Sequence, residues 1–129
     1  MNSEEKPMSA LKHFNPEALC EVVQLDEHGE GGLLESLTEN YGSNFDYSMK
    51  AMKVAINMLD YKTLEREAHS LKSSSNLLGL MVLGALCAEI EHAARAQKMD
   101  PAKQALLEQE FEEAFPELVS FTKNLKKAA

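Results

Sequence analysis

The chain has no tryptophan and only two cysteines, and none of its apolar runs reaches the roughly 20 residues a membrane helix needs. A disulfide-stapled fold and a membrane-spanning helix are therefore not expected. Cys20 and Cys87 have no CxxC or Cys/His companions, so no metal site is expected; each falls in an apolar helical pattern and reads as a small core residue. Aromatics make up only 6% of the chain, and no segment alternates apolar and polar residues, which argues against half-buried strands. Positive charge is also scarce: 13 Lys and Arg against 21 Asp and Glu give a net charge of −8. Nucleic acid and anionic membranes are poor partners for such a surface. The first ten residues, MNSEEKPMSA, lack the apolar stretch of a signal peptide, and a cytoplasmic location is the expectation.

What is present points one way. Apolar residues make up 44% of 129, enough for one domain with one core. Leu, Ala, Met, Glu and Lys, all good helix formers, dominate. The composition predicts an all-α domain.

Residues 1–13 read as a flexible leader and 14–127 as a single helical domain. Asn15-Pro16 is an N-cap followed by a first-turn proline, opening a short helix through Leu19, Val22 and Val23 that stops by His28-Gly29. From Leu33 to Leu59, apolar residues at Leu34, Leu37, Tyr41, Phe45, Met52, Ile56 and Leu59 mark one face of a long amphipathic helix, with Met49 and Met58 as further core filler. Gly42 inside it signals a bend or a close helix crossing. Asp60 ends this helix and caps the next, Tyr61 to Leu78, with Gly79 as its stop. A fourth helix spans Met81 to Gln97. Asp100-Pro101 opens a fifth that runs to about Leu125, with Pro116 as a kink. Short connections make neighbours antiparallel. The expected architecture is an antiparallel four-helix bundle with a short additional N-terminal helix.

The third helix, YKTLEREAHSLKSSSNLLG, separates two faces. At about 100° per residue, Leu64, Ala68, Leu71, Ser75 and Leu78 form the core stripe, while Lys62, Glu65, Arg66, Lys72, Ser73 and Asn76 cluster around His69 on the solvent side. Three consecutive serines, Ser73 to Ser75, are unusual in a helix interior. Ser74 and Ser75 point inward, where small side chains let another helix approach. Ser73 points outward and leaves the imidazole open to a docking macromolecule. An imidazole with an ordinary pKa near 6.5 offers a neutral nucleophilic nitrogen at cytoplasmic pH. Lys72, one turn on, can supply positive charge to a phosphoryl group, and Arg66 is a second candidate. No P-loop, glycine-rich nucleotide loop or aspartate cluster for Mg²⁺ accompanies them. His13, His28 and His92 read as surface residues, and a His69/His92 metal pair has no carboxylate or cysteine to support it.

Ala68-His69-Ser70-Leu71-Lys72-Ser73-Ser74-Ser75, with Gly79 ten residues after the histidine, resembles the histidine phosphotransfer (HPt) domain. Leu83 to Arg95 (LGALCAEIEHAAR) resembles the helix that follows in that family. The likeness spans roughly residues 33–125, its specific motif only 68–79. It implies a four-helix-bundle phosphorelay intermediate, which takes a phosphoryl group from a receiver-domain aspartyl-phosphate and passes it to another receiver's aspartate. His69 then matches the phosphorylated histidine, Lys72 its basic neighbour and Gly79 the glycine ending the helix; Ser73 stands where glycine is commonest. The implied partners are the receiver domains of a hybrid sensor kinase and a response regulator. The protein itself would be no enzyme but a stoichiometric, monomeric carrier without a cofactor, its activating groups and Mg²⁺ coming from the receiver. Lys62, Glu65, Arg66, Ser73, Asn76 and Gly79 are the expected partner-binding residues. The alternative from the same surface is a helical adaptor that docks on a receiver or kinase without accepting phosphate.

Overall fold

The computed structural model describes residues 12–25 and 32–128. A 3-10 turn at Pro16–Leu19 leads into α1 (Cys20–Leu25), followed by α2 (Leu33–Asn57), α3 (Tyr61–Leu77), α4 (Met81–Arg95) and α5 (Pro101–Ala128). Among the described residues there is no strand. The fold is the expected helical bundle with a short N-terminal helix. No described helix is long and apolar enough to cross a membrane.

The caps are where the sequence puts them. The Asn15 side chain accepts from the Glu17 amide at 3.1 Å, with Pro16 at the first position. Asp60 accepts from the Thr63 amide at 3.1 Å and from its hydroxyl at 2.6 Å. These two bonds hold the Asp60 carboxyl below its usual range. Asp100 accepts from the Ala102 amide at 3.0 Å. The predicted stop of the first helix at His28-Gly29 lies outside the described residues, as do the first eleven residues of the expected leader.

The helix ends bring corrections. α2 stops at Asn57, and Leu59 takes a left-handed φ of 54° so that the Asp60 amide can reach back to the Ala55 carbonyl at 2.8 Å. With the helix over, its periodicity no longer aims side chains at the core. Leu59 is 64% and Met58 74% exposed, whereas Met49 and Met52 are buried as expected. α4 likewise ends at Arg95, short of Gln97, which is itself left-handed. Pro116 lies within α5, which continues past it to Ala128. Cys20, expected in the core, is exposed. The preceding 3-10 turn advances about 120° per residue rather than 100° and so shifts the helix phase. Cys87 is buried, and desolvation pushes its thiol up to about 12.

The core stripe of α3 is as predicted: Leu64, Ala68, Leu71, Ser75 and Leu78 are no more than 2% exposed. Between α2 and α5, Tyr41, Phe45, Phe111 and Phe115 form an aromatic cluster, with Phe45 and Phe111 stacked at 3.9 Å between centroids. Gly42 belongs to this crossing: a Cβ there would lie 3.0 Å from Phe115 Cζ. Glycine in mid-helix costs about 1 kcal/mol relative to alanine; here it admits the ring of the neighbouring helix. The α3–α4 hairpin is tighter still, because a Cβ on Gly84 would overlap the Asn76 side chain.

A histidine–carboxylate site on the α3–α4 hairpin

Gly79, with φ of 79°, reverses the chain, and the Leu80 amide donates to the Ser75 carbonyl at 2.8 Å. α4 then runs back along α3 with Asn76 opposite Gly84, His69 opposite Glu91 and Glu65 opposite Arg95. This register brings together a set of side chains that no stretch of sequence contains.

Glu91 is at the centre. Its side chain is only 7% exposed, yet three groups meet it: Lys72 Nζ donates to Oε1 at 2.6 Å, His69 Nδ1 lies 2.6 Å from Oε2, and Arg95 donates to Oε2 at 3.3 Å. The Lys72 hydrogen bond, outweighing desolvation and reinforced by His69, holds the Glu91 carboxyl below its ordinary value. An ionised carboxylate accepts and cannot donate. The proton between Glu91 and His69 therefore sits on Nδ1. In the neutral ring this leaves the lone pair on Nε2. The His69 side chain is 60% exposed.

Glu91 did not emerge from the sequence reading as a site residue. A signal existed: it lies four residues after Cys87 and three before Ala94, at a core-stripe position where a lone carboxylate needs a partner. Which partner depends on the α3–α4 crossing, and that is tertiary information.

The other predicted residues divide. Lys62, Glu65 and Arg66 line a shallow depression of about 460 Å³ with His69, Glu91 and Arg95. Glu65 accepts from Arg95 at 3.1 Å, and Arg66 makes a long contact, 3.9 Å, to Glu67. Ser73 is exposed, and its hydroxyl donates to the His69 carbonyl at 3.2 Å. Ser75 is buried as expected and shares a 2.6 Å hydrogen bond with Tyr41. Ser74, half-buried, donates to the carbonyls of Ser70 and Leu71. Asn76 is exposed but lies against Gly84. Gly79 corrects its own assignment: it is buried beneath Phe14 and Asn15, so it shapes the turn and presents no surface to a partner. His92 is exposed as expected, His28 lies outside the described residues, and His13 is half-exposed but engaged with α5.

The four-helix scaffold presents on α3 an exposed imidazole that is braced by a buried carboxylate with lysine and arginine beside it, and so defines a helical bundle with a surface histidine–carboxylate site. The Hpt domain family matches residues 32–120, and the chain belongs to that family, the histidine phosphotransfer proteins of phosphorelays, which carry phosphoryl groups rather than catalyse. Among solved structures, histidine-containing phosphotransfer protein B (HptB) from Pseudomonas aeruginosa is similar, with a TM-score of 0.73 and 22% identity over 87% of this chain and 96% of that one. At this identity the likeness speaks to the fold. No curated protein matches the chain significantly.

Proposed function

We infer that this protein relays a phosphoryl group between receiver-domain aspartates of a sensor kinase and a response regulator, and that His69 Nε2 carries it. The observation behind this reading is the Glu91–Nδ1 contact on an exposed imidazole, which in the neutral ring leaves the lone pair on Nε2. In the proposed step, Nε2 attacks the phosphorus of the receiver's aspartyl-phosphate in line. The N–P bond forms as the P–O bond to the aspartate breaks, and the aspartate leaves as its carboxylate. No proton need be lost, because the attacking nitrogen carries none. The ring becomes a phospho-imidazolium whose positive charge faces Glu91. Glu91 is thus a positioning residue, holding the tautomer first and balancing charge afterwards. Lys72, already beside the ring, is placed to trade part of its Glu91 contact for a phosphoryl oxygen. Metal and acid–base groups belong to the receiver, and the return step is the same displacement reversed.

Lys62, Glu65, Arg66, Ser73 and Asn76, on the His69 side of α3, form the proposed docking face. The acting species is a cytoplasmic monomer without a cofactor of its own. Incubation with a phosphorylated receiver is expected to place acid-labile label on His69. Equal labelling of wild type and His69→Gln would sink the reading in favour of a non-phosphorylated adaptor.

A further inference from the structure

A second imidazole–carboxylate pair lies away from the hairpin site. His13 Nδ1 is 2.5 Å from Glu110 Oε2, a carboxylate whose side chain is 8% exposed, and His13 Nε2 is 3.8 Å from Glu113 Oε2. The ring thus spans two carboxylates, one at each nitrogen. The Glu113 contact is an ion pair, too long for a hydrogen bond, and only the imidazolium, with a proton on each nitrogen, suits carboxylates on both sides. The three donor atoms lie within 4.8 Å of one another. Even so, a single metal ion takes one ring nitrogen, and these carboxylates sit at different ones; the arrangement suits a proton better than a metal.

His13 begins a short strap. Phe14 packs edge-on against Phe121 of α5 with centroids 5.6 Å apart. The Asn15 amide donates to the Gly79 carbonyl at 2.8 Å, across the turn that joins α3 to α4. A Cβ on Gly79 would collide with the Asn15 carbonyl oxygen and touch Phe14. Three consecutive residues therefore tie the α3–α4 turn to α5, and the charged end of the tie is His13.

We propose that His13–Phe14–Asn15 is a proton-operated clasp, closed over the α3–α4 turn when His13 is an imidazolium and loosened when it becomes neutral. A neutral ring would turn a lone pair toward one of the two carboxylates and lose the charge that offsets the buried Glu110. The charged groups acting on the ring are Glu110, Glu113 and Glu117, all on α5. The Glu110 hydrogen bond, against some desolvation and with the charges of all three, raises His13 above its ordinary value. The contribution of the clasp is then fully present below about pH 6.5, the unfolded value, and is lost as pH rises through the raised folded value.

The test is amide hydrogen exchange of the full chain by NMR from about pH 5 to about pH 9, expressed as protection factors, with the His13 ring titrated in the same samples. The Asn15 amide is expected to lose protection several-fold with the midpoint of His13. In His13→Gln that step disappears. In Glu113→Gln the step moves to lower pH, a shift that a merely structural role for Glu113 would not produce. An Asn15 protection factor flat across the wild-type titration overturns the clasp, as does a step retained in His13→Gln. If His13→Gln loosens the strap at every pH, an unmoved midpoint in Glu113→Gln still overturns it. Protection restored at high pH by zinc chloride would make the site a metal site and reject the proton.

Discussion

Among the described residues, two histidines are set against buried glutamates at nearly the same distance: His69–Glu91 at 2.6 Å and His13–Glu110 at 2.5 Å. What lies beyond the pair differs. At Glu91 the remaining acceptor capacity is filled by Lys72 and Arg95, and the His69 side chain is 60% exposed. At His13 the far nitrogen meets a second carboxylate. Surrounding a carboxylate with cations frees one imidazole nitrogen for bond making, whereas surrounding an imidazole with carboxylates retains its proton. The same two side chains thus give the proposed nucleophile in one place and the proposed proton-held tie in the other.

The sharpest way to break this comparison is to remove each ring in turn. His69→Gln is expected to abolish labelling by a phosphorylated receiver, and His13→Gln to leave it unchanged; label lost from both would erase the distinction. Next in size is Glu91→Gln. A hydrogen bond to a charged group contributes about 1.5–3 kcal/mol, so the phosphotransfer rate should fall about 10- to 100-fold at 1.36 kcal/mol per decade. Glu110→Gln should leave the rate alone. Nitrogen-15 shifts of the His69 ring report the tautomer directly and would separate a lost brace from a misfolded site.

Gly79→Ala comes third. Left-handed backbone costs a residue with a Cβ about 1–2 kcal/mol, and the collision with Asn15 adds to this, so thermal unfolding should fall by at least that amount. The pH dependence is the smallest effect and has opposite signs at the two pairs. Glu91 is depressed in the fold, so its contribution is present above about pH 4.3, the unfolded value, and is lost as pH falls through its lower folded value. His13 is raised, so its contribution disappears instead as pH rises. The difference in Tm between wild type and Glu91→Gln should shrink in acid, and that between wild type and His13→Gln in mild base.

Much of the fold could be read from the chain because it depends on near neighbours. The α3 stripe from Leu64 to Leu78 is a matter of helical period, and Asn15, Asp60 and Asp100 cap through bonds two or three residues away. His69 and Lys72 were legible for the same reason, being one turn apart on one helix. Glu91 and Glu110 were not, because their partners are 22 and 97 residues away and depend on how helices cross. Cys20, Met58 and Leu59 were misread where the period changes, in a 3-10 turn and past a helix end. Gly79 was placed correctly as a stop but wrongly on the docking face, because nothing local says that Asn15 and Phe14 cover it.

The Tyr41–Ser75 hydrogen bond has a consequence for how the reactive group is displayed. Both groups are nearly inaccessible to water, and burial raises the tyrosine's pKa far above its ordinary value. Sliding α3 along α2 by one turn would displace one hydroxyl from the other by about 5.4 Å along the helix axis and strand each without a partner, at about 1–3 kcal/mol apiece. Apolar contacts alone would resist such slippage less, since one leucine substitutes for another. The pair works as an index pin. It sets the height of His69 along the bundle, so that a docking receiver, as proposed, meets the imidazole at one fixed level.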